Sequence, residues 1–139
     1  MIILDTNIIS ELLRPRPEPR VVAWVEVRPN SQFFTTTITE AEIRYGVARL
    51  DDGSRRQNLQ KAVDGLFAVD LVSRVLAFDS VAAISYAQIV AKRERAGRPI
   101  SHFDAQISAI AIAYGASIAT RNVKDFEGLG LDIINPWER

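Results

Sequence analysis

The sequence predicts an α/β fold built on a short, mostly parallel sheet. Short apolar or β-branched runs alternate along it with amphipathic segments, the pattern of strands separated by helices. The first run, Ile2-Ile3-Leu4, is continuously apolar, as suits a strand covered on both faces. At 139 residues and 47% hydrophobic composition the chain can bury one core, so 1–139 reads as a single domain.

After that strand, 7–13 is expected to be helical, with Thr6 or Asn7 as its cap. Arg14-Pro15-Arg16-Pro17-Glu18-Pro19 ends it, because proline lacks the amide proton and biases its predecessor to extended backbone. This stretch reads as a stiff loop rather than a polyproline ligand. A helix over 20–27 would bury Val21, Trp24 and Val25. Residues 33–37 form a strand, and 39–50 a helix with Ile43, Val47 and Leu50 at helical spacing. Asp51-Asp52-Gly53 makes a turn into a second amphipathic helix over 54–67, with Leu59, Val63, Leu66 and Phe67 on one face. A strand over 75–78 leads through Asp79, a helix cap, into a long helix over 80–96 that stops at Gly97 and Pro99. The helix over 104–114 is nearly all apolar, and Gly115 is placed to end it in left-handed backbone. Strands over 117–120 and 132–134 complete the sheet.

Composition excludes several chemistries. Seventeen basic and seventeen acidic residues leave no net charge, so no global field draws the chain to nucleic acid or to an anionic membrane. Any such contact must come from local basic groups. Without cysteine there is no disulfide, zinc–thiolate site or thiol nucleophile. His102 is the sole histidine, so a paired-histidine ribonuclease mechanism cannot be assembled. Serine-elbow, Walker and dinucleotide glycine patterns are absent. Met-Ile-Ile-Leu-Asp has no basic n-region, and nothing approaches the about 18 apolar residues of a membrane span. The expectation is a cytoplasmic protein without membrane contact.

Acids, hydroxyls and amides remain. Asp5 ends the first strand; Glu42, Asp104 and Asp125 lie at or near helix starts. Each has an ordinary explanation. Thr39-Glu40-Ala41-Glu42 and Ser101-His102-Phe103-Asp104 have the capping-box form, Asn122-Val123-Lys124-Asp125 is a looser version, and Asp5 suits a helix dipole. Two features favour chemistry instead. Asp5 has too little chain before it for another structural role, and an aspartate on the first turn of so apolar a helix as 104–114 lies near the interior. In parallel α/β sheets the strand-to-helix loops share the carboxyl edge, which brings Asp5, Glu42 and the 120–125 segment together. Asp104 follows no strand, so the pattern does not place it with them. Two carboxylates about 4 Å apart repel by several kcal/mol at an effective dielectric near 20, and a hard cation relieves this. An oxygen-only donor set suits Mg²⁺ or Mn²⁺.

Four motifs in order carry a family resemblance: Ile-Leu-Asp-Thr-Asn-Ile-Ile-Ser-Glu at the start, Glu42-Ile43-Arg44-Tyr45-Gly46, Phe103-Asp104-Ala105, and Thr120-Arg121-Asn122-Val123-Lys124-Asp125-Phe126. The chain resembles PIN domains and, more narrowly, the VapC and FitB toxins of bacterial toxin–antitoxin pairs, from Met1 to Asn135-Pro136-Trp137. The resemblance implies a three-layer α/β/α sandwich and a Mg²⁺-dependent endoribonuclease, with Mn²⁺ as a substitute. Metal-activated water would cleave RNA phosphodiesters, leaving 5′-phosphate and 3′-hydroxyl ends. Asp5, Glu42, Asp104 and Asp125 would be the catalytic acids, with Asp5 and Asp104 on the metal. The fourth place stays open between Asn122 and Asp125, since family members carry the acid at either position. Thr6, Asn7 and Thr120 would hold the ligands through hydrogen bonds. Arg44, Arg49, Arg121 and Lys124 flank the acids and are either RNA contacts or ordinary solvated charges.

The implied partners are RNA, a cognate antitoxin of the VapB/FitA kind that also binds operator DNA, and a second copy in a homodimer. Val21, Trp24, Leu59, Val63 and Ile89 are expected to supply apolar surface beyond what one domain buries. A PIN-fold binding module without catalysis, or a receiver-like phosphoacceptor domain, are the competing readings. A receiver would need paired acids after the first strand, where Asp5 is followed by Thr6-Asn7.

Overall fold

The structure, a computed structural model, describes residues 1–138. Its strands are β1 (Ile2–Leu4), β2 (Phe33–Thr36), β3 (Val75–Leu76), β4 (Ser117–Ala119) and β5 (Ile133–Ile134), in the order β3-β2-β1-β4-β5. Every pairing is parallel, where a mostly parallel sheet was expected. β1 is central, with Ile2 opposite both Phe33 and Ser117. The chain winds outward from β1 to β3, then crosses back to β4, so the order reverses between β1 and β4.

The helices are α1 (Thr6–Leu12), α2 (Pro19–Glu26), α3 (Thr37–Ala48), α4 (Ser54–Gly65), α5 (Ser80–Arg95), α6 (His102–Tyr114) and α7 (Val123–Phe126). Alternate side chains of a strand point to opposite faces, and the core divides accordingly. Ile3 and Ile118 pack with Ile89, Ile107, Ile110 and Phe126 from α5, α6 and α7. Leu4 and Ala119 pack with Ile8, Ile9, Val21, Ile43 and Val63 from α1 to α4. Helices therefore cover both faces of the sheet in three layers.

Several boundaries differ from expectation, each for a local reason. Asp5, not Thr6 or Asn7, caps α1: its carboxylate accepts from the Thr6 amide at 2.8 Å. Pro19 opens α2 at the first helical position, where its missing N–H costs nothing. Thr36 rather than Thr39 caps α3, accepting from the Thr39 amide at 3.1 Å, so the capping box over 39–42 does not form. After α4 the chain widens into a π-type turn, Leu66–Asp70, that carries Phe67 into the core. Asp79 and Ser101 cap α5 and α6 through the amides of Ala82 and Asp104, at 3.0 and 3.2 Å. Gly115 ends α6 at φ 63°, with the Ala116 amide returning to the Ala111 carbonyl at 2.9 Å.

The surplus apolar surface expected at Val21, Val63 and Ile89 does not exist, because all three are buried in the core. The exposed apolar side chains include Val81 and Ile84 on α5 and Phe103 on α6. Among the described residues no helix is long and apolar enough to cross a membrane.

Candidate active site

β1 delivers Asp5 to the carboxyl edge at the point where strand order reverses, the place where a parallel sheet opens a crevice. Asp5 is 4% exposed, and its carboxylate accepts from the Thr6 amide (2.8 Å), the Thr120 hydroxyl (2.7 Å) and the Asn7 amide group (3.1 Å). Thr120, just past β4, is itself saturated: it donates to Asp5 and accepts from Asn7 Nδ2 at 3.2 Å and the Asn122 amide at 3.0 Å. The Arg121 amide donates to Asn7 Oδ1 at 3.2 Å. These bonds tie the loop after β4 to the first turn of α1.

From the other side α3 brings Glu42. The Thr6 hydroxyl lies 3.1 Å from Glu42 Oε1, to which it donates, and 3.1 Å from the Thr39 hydroxyl. Asp104 arrives on the first turn of α6, half-buried. Burial pushes the Asp5 carboxyl up; its donors Thr120 and Thr6 oppose this, and the Asp104 charge adds to it. Glu42 is raised by burial, against the Thr6 bond, and further by the charges of Asp5 and Asp104. Asp104 is raised by burial, eased by Ser101, raised again by Asp125 and lowered by Arg93. Among the described residues none of the three acids forms an ion pair, and Arg93 offsets only part of the rise at Asp104.

They face an open cleft of about 490 Å³, whose walls also include Thr6, Asn7, Asn122 and Arg121. Other expected residues lie off these walls. Asp125 is exposed and reaches the site only through its charge on Asp104. Arg44 is occupied by Glu40 and Asp64, each at 2.8 Å, and Arg49 lies over the Tyr45 ring. Neither these two arginines nor Lys124 lines the cleft.

Sequence reasoning missed Glu11, Arg14, Trp137 and Arg93. Glu11, 6% exposed, lines the cleft and accepts from Arg14 and from the Glu18 amide. Its three-residue spacing from Arg14 was the available signal. Arg93 is buried in α5 and donates to the carbonyls of Arg98, Asp125 and Glu127, which anchors the α7 segment. Nothing in local sequence marks it. Trp137 reaches the cleft after β5, far along the chain from the other walls.

Among the described residues no three acids or histidines form a complete metal-ligand group. The donors at the cleft nevertheless fit Mg²⁺, an ion that takes one or two carboxylates and keeps water for its other positions. Thiolate and imidazole, which would favour softer metals, do not line it.

A parallel sandwich in this strand order, with acids carried after β1, on α3 and on α6 lining one cleft, is the arrangement expected of the PIN class. The PIN domain model matches residues 2–129, and the chain belongs to that family. Within it the similarity to VapC and FitB toxins runs end to end. The chain is 43% identical over 138 residues to a VapC ribonuclease of Sinorhizobium fredii, covering 99% of each. It is 37% identical over 137 residues to Toxin FitB of Neisseria gonorrhoeae, again covering 99% of each. The solved structure of FitAB bound to a DNA fragment matches with a TM-score of 0.94 at 37% identity, covering 100% of this chain and 97% of that one.

Proposed function

We propose that this chain is the toxin of a toxin–antitoxin pair, a metal-dependent endoribonuclease acting at the cleft of Asp5, Glu42 and Asp104. One observation carries the reading: three carboxylates from separate elements face one cleft, each is raised by burial, and none forms an ion pair among the described residues. Folding alone gains nothing from that arrangement. The names of the similar proteins, a ribonuclease and a toxin, support it.

Asp5 and Asp104 would hold Mg²⁺ or Mn²⁺, which when bound neutralises the scissile phosphate and acidifies a water. Thr120, Asn7 and the Thr6 amide fix the Asp5 carboxylate so that it need not reorganise. Glu42, held by Thr6 and raised in pKa, is placed to orient the attacking water and take its proton. Arg121 and Arg14, on the same walls, supply phosphate contacts. Asn122 rather than Asp125 takes the fourth place, since only Asn122 lines the cleft. Lysine is absent from these walls, which removes the basis of a receiver-like reading.

The partner is an antitoxin of the FitA or VapB kind that brings operator DNA, supported by FitAB bound to DNA among the similar structures. A cytoplasmic homodimer completes the reading, with Val81, Ile84 and Phe103 as the exposed apolar residues for the second copy. The test is cleavage of RNA by purified protein. Activity is expected to vanish with EDTA, to return with Mg²⁺ or Mn²⁺, and to be absent in Asp5→Asn. Cleavage unchanged in excess chelator, with contaminating nuclease excluded, would overturn it.

A further inference from the structure

We infer that Trp137 and Arg121 form a stacking subsite for one unpaired RNA base beside the acids. The inference rests on the ribonuclease reading and deepens it by assigning the residues that would hold a base next to the scissile phosphate. Trp137 shares the cleft with Asp5, Asp104 and Asn122. The Arg121 guanidinium lies 5.1 Å from the centre of its ring. Arg121 is exposed, and among the described residues it forms no ion pair, so its charge is not neutralised.

The backbone that carries the ring is anchored. The Trp137 amide donates to Asn135 Oδ1 at 3.0 Å, and its carbonyl accepts from Arg20 at 3.0 Å. Part of its side chain packs against the core beneath α1 to α4, and the residue is half-buried. The other tryptophan is used differently: Trp24 packs on Phe33 at 5.5 Å and is covered by Arg28 at 4.5 Å, with no part in the cleft.

A rigid indole and a guanidinium plane beside a phosphate-cutting site suit a flat base next to the scissile phosphate. Bases inside a duplex are covered by their neighbours and offer no free face, so the subsite selects strands whose bases are already unstacked. Stacking tolerates any base, which makes this a reader of strandedness rather than of sequence. The plain alternative is that Trp137 merely covers the core and Arg121 shields it.

The test uses the full chain carrying Trp24→Phe, which leaves Trp137 as the only tryptophan, with Asp104→Asn and chelator to stop cleavage. An end-labelled unstructured RNA reports binding by anisotropy while indole emission reports stacking. Binding is expected to quench Trp137, whereas the same sequence as a duplex and inorganic polyphosphate, which has charge but no base, should not. Trp137→Leu should weaken single-strand binding about ten-fold, and Trp137→Phe should largely restore it. In the cleavage-competent protein with Mg²⁺, Trp137→Leu should raise KM with little change in kcat. RNA that binds by anisotropy and leaves Trp137 emission unchanged overturns the subsite while the ribonuclease reading stands. The emission assay decides this even if Trp137→Leu fails to fold. Failure of the wild-type chain both to bind and to cleave RNA with Mg²⁺ overturns both.

Discussion

Asp5 and Asp104 are both raised by burial, yet they differ in what an amide would strand. Asp5 Oδ2 accepts from Thr120 and Asn7 together. An amide nitrogen there would face the Asn7 donor, which would keep its bond to Thr120 and lose the one to residue 5, at a cost of about 1–3 kcal/mol. The Asp104 carboxylate has no such pair of donors, and its nearest influences are Ser101 and the charges of Asp125 and Arg93. Both Asp5→Asn and Asp104→Asn should abolish cleavage, but in EDTA at neutral pH Asp104→Asn should raise the thermal midpoint and Asp5→Asn should lower it. A folded-state pKa above the ordinary carboxylate value means that the folded protein holds the proton more tightly. Wild type therefore loses stability as pH rises through that raised value. The advantage of Asp104→Asn should be full above the raised pKa and shrink as pH falls toward the ordinary carboxylate range. Melting curves in EDTA across pH check this, and a gap that widens on acidification would contradict the assigned cause.

At the scale of elements, the start of α3 decides whether Glu42 is free for chemistry. Had Thr39 capped the helix, Glu42 would be drawn back toward the cap. Thr36 takes that role, so Thr39 and Glu42 lie three residues apart on one helical face, where the Thr6 hydroxyl reaches both. The end of α6 is governed by one residue. Gly115 sits at φ 63°, and a Cβ there would meet nothing within 4 Å, so Gly115→Ala carries only the backbone penalty. The expected loss is about 1 kcal/mol, read by chemical denaturation, with cleavage retained because Asp104 lies at the far end of α6. A loss above about 3 kcal/mol, of the size that core disruption brings, would show that α6 had shifted.

For the whole molecule, zero formal charge hides a polarised cleft in which acids form the floor of the chemistry and Arg14 and Arg121 stand on the same walls. Three acids without an ion pair would suit a divalent ion and equally an arginine fork, which makes paired charge-assisted bonds to a carboxylate. If the antitoxin inhibits by placing such an arginine there, it competes with Mg²⁺. Inhibition of cleavage by the co-purified antitoxin should then weaken as Mg²⁺ rises, and weaken with salt as well. An Mg²⁺ series on the inhibited complex measures this. Inhibition indifferent to Mg²⁺ would place the block on the RNA path, away from Asp5 and Asp104.

The order of strands and helices was legible in the residues because periodicity and end signals are local. Ile2-Ile3-Leu4 marks the central strand, the apolar run of α6 marks a buried helix, and Asp79 and Gly115 mark helix ends correctly. Asp5 and the Thr120 loop were placed at one edge by topology alone, since parallel strands share their carboxyl ends. Whatever depends on how separate elements meet was not legible. Asp104 joins the cleft because α6 starts beside the carboxyl edge, although no strand precedes it. Val63 and Ile89 look available on one amphipathic face, and only packing shows that they fill the core. Asn122 lines the cleft and Asp125 does not, a choice made by the turn after Thr120 and by Arg93 holding the α7 carbonyls. Trp137 comes to the acids only through the return of the chain past β5. Local sequence fixes what each element is, because its signals lie within a few residues of one another. Long-range packing alone decides which side chains end up facing one another across a cleft.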